Sequence, residues 1–279
     1  MKRLPMVLVT VAMTLAACGG SSSSGGGSAQ ISPPPNSELL TAGTLTIASD
    51  VSYPPQESMK EGTNTPEGFD IDIGDAIGKK LGLKVVWQNQ GFDTIIDGLI
   101  AKKYDIIISA VTINDERKQK VDFVPYFRAG ESFVVIKGSS KHPKQLSDLC
   151  GLNVAVEKGT SELDEANGLN KSGGTCASNQ VKVQAFDKDT DALRELKKGS
   201  VDVHFTDSPV AGFETRHDSG LALSGGVIEI APEGIVVRKG DTAMEDPISK
   251  AFKAIEDDGT YDTILKKWGL QDGDIRKTS

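Results

Sequence analysis

A chain of 279 residues, 38% apolar and a quarter charged, is long enough for one large domain or two small ones. Its 31 basic and 39 acidic residues leave a net charge of −8, and no long basic block is present. That argues against nucleic-acid binding, which needs clustered Lys and Arg to displace counterions. The three histidines, His142, His204 and His217, lie far apart and none stands in zinc-type spacing with a cysteine, so neither a metal nor another cofactor is expected.

Residues 1–40 read as an export signal followed by a linker. Lys2 and Arg3 precede an apolar run, Leu4 to Ala17, that is too short to span a bilayer comfortably. A Ser/Gly tract to Ser28 and then Pro33-Pro34-Pro35 predict a tether over residues 18–40, flexible first and stiffer later. Leu15-Ala16-Ala17-Cys18 resembles a bacterial lipobox. The resemblance implies removal of residues 1–17, lipidation of Cys18 and anchorage on the outer face of the cytoplasmic membrane; a plain signal peptide cut nearby is the alternative. Two or more acyl chains make such attachment lasting.

From Thr44 the pattern alternates between strand and helix. Leu45–Ser49 is a short strand, and Ile73, Ile77 and Leu81 form a helical stripe within 69–81. A strand over 83–87, a helix over 92–101 and a buried strand through Ile106, Ile107 and Ile108 complete a βαβαβ unit. The pattern recurs: strand 152–156, helix 161–169, strand 181–186, helix 190–198 and strand 201–205. In both halves a leucine (Leu99, Leu196) precedes by six residues an aspartate (Asp105, Asp202) that opens an apolar strand. This predicts two similar α/β lobes, each a mostly parallel sheet flanked by helices. Residues 121–137 and 227–238 are β-rich, and helices are expected over 247–257 and 261–268. If the chain leaves lobe one near Ala129 and returns near Ile230, two strands form a hinge. Lobe one is then 41–130 with 230–279, and lobe two is 131–229.

Export places Cys150 and Cys176 in an oxidising compartment. Cys150 lies just before one strand of a βαβ unit and Cys176 five residues before the next, at the same sheet edge, so the two are expected to pair; two separate buried thiols are the alternative.

Ligands of open α/β sheets bind beyond the carboxyl ends of the strands. That rule selects Asp50–Tyr53, Ser109–Arg117, Glu157–Ser161, Thr206-Asp207 and the turn before Phe69. The same segments carry a family resemblance. Gly68-Phe69-Asp70-Ile71-Asp72-Ile73, with Ile77, Gly78 and Leu81 in step, resembles the signature of family 3 extracellular solute-binding proteins. Tyr53-Pro54-Pro55, Thr112-Ile113-Asn114-Asp115-Glu116-Arg117, Asp122-Phe123, Pro125-Tyr126, Lys158-Gly159-Thr160, Gly259-Thr260-Tyr261 and Lys267-Trp268-Gly269 extend it from residue 44 to about 270. The resemblance implies a two-lobed, type II periplasmic-binding-protein-like fold. It also implies a monomeric, non-catalytic binder of polar amino acids that works with ABC permease subunits.

Carried over by position, Arg117 holds the ligand α-carboxylate through its planar fork. Asp207 takes the α-ammonium; otherwise it caps the helix that starts at Ser208-Pro209. Ser109, Ala110, Thr112, Thr160 and Ser161 surround the head group, with simple capping as the alternative for the hydroxyls. Tyr53 and Phe69 match positions that sandwich the side chain, or else belong to the core. Asp50 and Glu157 would suit a basic ligand; alternatively Asp50 bonds backbone amides and Glu157 faces solvent. One departure is that the Tyr-Pro-Pro run, usually followed by an aromatic, is followed here by Gln56 and Glu57. Two rival readings stay open. One is a dehydratase-like enzyme with Glu157 as base, and the other is a sensory module.

Overall fold

The computed structural model describes Met1 and residues 31–277. The rest of the expected signal segment, Cys18 and the Ser/Gly tract lie outside the described residues. Strand β1 (Thr44–Ser49) leads through a small antiparallel sheet of β2 (Ser52–Tyr53), β3 (Glu57–Met59) and β4 (Pro66–Glu67) into helix α1 (Phe69–Leu81). Then come β5 (Lys84–Asn89), α2 (Phe92–Ile100), β6 (Ile106–Ile107) and the short α3 (Asp115–Lys120). The long strand β7 (Val121–Ile136) follows. A second run comprises β8 (Asn153–Glu157), α4 (Ser161–Leu169), β9 (Lys182–Phe186), α5 (Asp189–Lys198), β10 (Val203–Asp207) and α6 (Ser208–His217). The chain closes with β11 (Leu221–Arg238), α7 (Thr242–Asp257) and α8 (Thr260–Trp268).

Eight strands lie in the order β5-β1-β6-β11-β7-β10-β8-β9. The order is nearly a palindrome. β1 lies parallel between β5 and β6 at one end, and β8 lies parallel between β9 and β10 at the other. The antiparallel pair β7 and β11 joins the halves. These halves are the two lobes. One buries Ile47, Phe69, Ile73, Ile77 and Phe252, and the other buries Phe133, Val154, Val156 and Phe205.

Local chemistry sets each element. Helix α1 carries Asp70 and Asp72 in its first turn and Lys79 and Lys80 in its last, matching the helix dipole, and stops at Gly82 with φ 67°. Gly74 lets β5 come close, because a Cβ there would stand 2.5 Å from the Trp87 ring. The repeated aspartate has a structural role in both lobes. Asp105 accepts from the Thr46 amide at 2.7 Å, and Asp202 accepts from the Asn153 amide at 2.8 Å. Each ties the third strand of its lobe to the first.

The pairing of β7 with β11 shifts register between Ser224 and Ile228, between Ile228 and Ala231, and again between Glu233 and Gly234. Such irregularities bend and twist a ribbon locally. Glu229, with φ 45°, sits among them, and a Cβ on Gly130 would fall 2.5 Å from the Ile228 carbonyl oxygen.

Cys150 and Cys176 are bonded, with Cα atoms 5.1 Å apart, and close a loop of sequence separation 26 in lobe two. Loop entropy assigns such a bridge about 3.5 kcal/mol.

Two expectations need correction. Residues 31–40 are not linker: Pro34 and Leu39 are buried, Ile31 packs on the lobe-one core, and the Leu40 amide donates to Asp105. Helix α7 starts at Thr242, not at Pro247, because Asp241 caps it by accepting from the Met244 amide and Met244 is buried.

Candidate functional site

The carboxyl ends of β1, β5, β6, β8 and β10 converge on one cleft between the lobes. It is narrow and is lined by Asp50, Tyr53, Glu57, Phe92, Ser109, Ala110, Thr112, Arg117, Glu157, Thr160, Ser161, Glu162 and Asp207. Every expected site residue except Phe69 lines it.

Arg117 is placed by α3. Asn114 caps that helix by accepting from the Arg117 amide at 2.8 Å, which fixes where the side chain leaves the backbone. The guanidinium donates to the Thr112 carbonyl at 2.8 Å and, across the cleft, to the Gly159 carbonyl at 2.9 Å. It lies 5.5 Å from the centre of the Phe92 ring. Burial lowers its proton affinity from the usual arginine range, while Glu162 and Asp207 work against that shift.

Phe69 does not reach the cleft. Its ring is fully buried in lobe one, 4.9 Å from the Phe127 ring centre and 6.0 Å from that of Tyr126. It follows β4 of the small sheet, so it points into the core. Phe92 follows β5 of the main sheet and supplies the aromatic wall instead.

Tyr53 spans the lobes. Its hydroxyl donates to Asp207 Oδ2 at 3.0 Å and accepts from the Asp207 amide at 3.1 Å. Thr112 accepts from Ser161 at 3.3 Å, a second hydroxyl contact across the gap. Thr160 caps α4, accepting from the Leu163 amide at 3.3 Å. Ala110 holds φ 47°, a conformation uncommon for a residue with a Cβ, and its amide donates to Asp70 at 2.9 Å.

Acid dominates the lining: Asp50, Glu57, Glu157, Glu162 and Asp207 surround the single cation Arg117. Asp50 accepts from Ser52 at 2.6 Å and from the Phe92 amide at 3.0 Å, so it also anchors the start of α2. Burial pushes Glu57, Glu157 and Asp207 well above the usual carboxylate range, with Asp70, Asp189 and Glu162 respectively adding to it. Burial also raises Glu162 to about 7. Among the described residues, Glu57 Oε2, Glu157 Oε1 and Glu162 Oε1 are buried without a hydrogen-bond partner. Buried acids in that condition favour a donor or a positive charge brought among them.

Sequence reasoning missed Glu57, Phe92 and Glu162. The strand-end rule reaches Phe92 once the end of β5 is included, and Glu162 is the next residue after the chosen Ser161.

Beneath lobe two's share of the cleft, Asp189, His204 and Glu214 place ligating atoms within 4.8 Å of one another. The carboxylates meet opposite nitrogens of the ring, so the arrangement is an imidazole held between two acids rather than a chelate.

Two α/β lobes on a shared strand pair, with a polar cleft bridged by side chains from both, define a two-lobed binding protein of the type II periplasmic class. The chain belongs to the bacterial extracellular solute-binding proteins, family 3, whose pattern matches residues 45–271. It is 32% identical over 235 residues to the lysine/arginine/ornithine-binding periplasmic protein of Escherichia coli K12, covering 81% of this chain and 87% of that one. It is 29% identical over 228 residues to the L-cystine-binding protein TcyJ of the same strain, covering 81% and 82%. Among solved structures, an ancestral arginine-binding protein bound to arginine matches with TM-score 0.75 and 38% identity, over 81% of this chain and 98% of that one.

Proposed function

We propose that this protein captures a basic L-amino acid between its lobes and presents it to an ATP-driven importer. One observation carries the reading: five acidic side chains and one arginine line the cleft. In this scheme Arg117 receives the α-carboxylate, Asp207 the α-ammonium, and Tyr53 and Phe92 lie along the side chain. Asp50, Glu57 and Glu157 balance the distal cation. Names of relatives that bind arginine or lysine support the same chemistry. Each charge-assisted hydrogen bond contributes about 1.5–3 kcal/mol before ordering and desolvation are subtracted. A few such bonds suffice for micromolar affinity, about −8 kcal/mol.

Titration calorimetry with L-arginine, L-lysine, L-glutamine and L-cystine tests this. L-arginine or L-lysine is expected to bind at least tenfold more tightly than the two ligands of zero net charge. Equal or tighter binding of L-glutamine or L-cystine rejects the basic-ligand reading.

The raised carboxyls also favour a second reading, since a buried protonated acid is what a dehydratase uses as general acid. Turnover of a cyclic acid such as arogenate, abolished in Glu157→Gln, would establish it.

We further infer that Cys18 carries the lipid that keeps the protein at the membrane surface beside its permease, where it acts as a monomer. Radiolabelled palmitate should enter the native protein and not Cys18→Ser; equal labelling of both excludes the anchor.

A further inference from the structure

The binding scheme leaves unused a buried charge system in lobe two. His204 on β10 is fully buried. Its Nε2 lies 2.8 Å from Asp189 Oδ1 at the start of α5, and its Nδ1 lies 3.2 Å from Glu214 Oε2 on α6. A neutral imidazole has one N–H and cannot donate to both acids. Burial opposes the second proton, but Asp189 and Glu214 outweigh it and hold the ring well above its usual range. Two residues along β10, Thr206 Oγ1 stands 2.9 Å from the same Asp189 oxygen and 3.1 Å from the Tyr53 hydroxyl.

A threonine hydroxyl has one proton to give. A charge-assisted bond from His204 weakens Asp189 Oδ1 as a second acceptor, which favours the Thr206 proton turning toward the Tyr53 oxygen. That oxygen also accepts from the Asp207 amide, so the Tyr53 proton is directed at Asp207 Oδ2. The series runs from Glu214 through His204, Asp189, Thr206 and Tyr53 to Asp207, from the lobe-two interior to the contact that bridges the lobes.

We propose that His204 is a positioning residue. Acting through Asp189 and Thr206, it orients the Tyr53 hydroxyl against Asp207 and so sets how slowly the closed cleft releases its guest. The proposal rests on the reading of the cleft as an amino-acid site, and His204 touches no ligand.

The test is a double-mutant cycle on L-arginine dissociation by stopped flow, comparing wild type, His204→Gln, Tyr53→Phe and the double variant. Each single change is expected to speed release about fivefold, the effect of one hydrogen bond. The double variant should be no faster than Tyr53→Phe alone, because both act through one contact. Multiplying effects overturn the proposal, since they mean that His204 supports only lobe-two stability. Thr206→Val, which retains the buried triad, is paired with Tyr53→Phe in the same way and decides the matter if His204→Gln does not fold. A ligand-free arm reads the ring nitrogens by NMR. Two protonated nitrogens at neutral pH are expected, and a neutral ring overturns the proposal whatever the protein binds. Failure of the wild type to bind L-arginine overturns the basic-ligand reading alone; the same cycle is then decided with L-cystine or L-glutamine.

Discussion

Gly-Phe-Asp occurs at two helix starts, Gly68-Phe69-Asp70 and Gly91-Phe92-Asp93, and the residues alone do not say which phenylalanine faces the cleft. The difference lies in what precedes each. The first follows a two-residue strand of the small side sheet, and the second follows a six-residue strand of the main sheet. Their substitutions should therefore separate. Phe69→Ala is expected to lower stability by about 3–5 kcal/mol in urea unfolding, as emptying a core aromatic site does. Phe92 is half-buried against the Ile95 and Leu99 cluster, so Phe92→Ala should cost clearly less stability and weaken amino-acid binding about tenfold in calorimetry. The reverse pattern would return Phe69 to the site. Arg117, Asp207 and the hydroxyl residues were legible because charge and position at strand ends mark them. Glu57 was visible only as a departure from the usual motif, and its burial beside Ser109 depends on the small sheet, which short polar strands do not announce.

At the scale of elements, most periodic segments were readable to within two residues, since apolar spacing fixes which face is buried; α7 and β11 start five and six residues earlier than expected, because Pro247 and Gly225-Gly226 read as their starts. The pieces that escaped are the shortest or the most polar. Strands β2 to β4 are two or three residues long, and α3 is Asp-Glu-Arg-Lys-Gln-Lys, held by the Asn114 cap rather than by an apolar stripe. The turn between β8 and α4 makes the sharpest functional prediction. Gly159 has φ 79°, and a Cβ there would stand 2.7 Å from Asp93 Cα on the opposite lobe. Gly159→Ala should thus hinder closure while sparing either lobe alone. Affinity is expected to fall tenfold or more, with a larger radius of gyration in the presence of ligand by small-angle scattering. A variant that closes normally would show that the lobes do not approach this tightly.

For the whole molecule, buried acid couples ligand to pH. Burial raises Asp70 to about 6 and Glu162 to about 7. The folded, empty protein holds these protons more tightly than the unfolded chain does. The stability they contribute is therefore fully present below the ordinary carboxylate range and is lost as pH rises through 6 and 7. A cationic guest favours the ionised forms and offsets the loss. Differential scanning calorimetry should find the ligand-free melting temperature falling from about pH 5 to about pH 8, and the shift produced by L-arginine growing over the same interval. A ligand shift independent of pH would mean that the guest does not meet Glu162.

Strands β7 and β11, 16 and 18 residues long, belong to both halves of the sheet. Each half has its own ladders, but both are hung on this shared pair, so losing the pair strips an edge from each half at once. The polypeptide should come apart in a single concerted endotherm, and an occupant held at the mouth protects even the most distant edge strand.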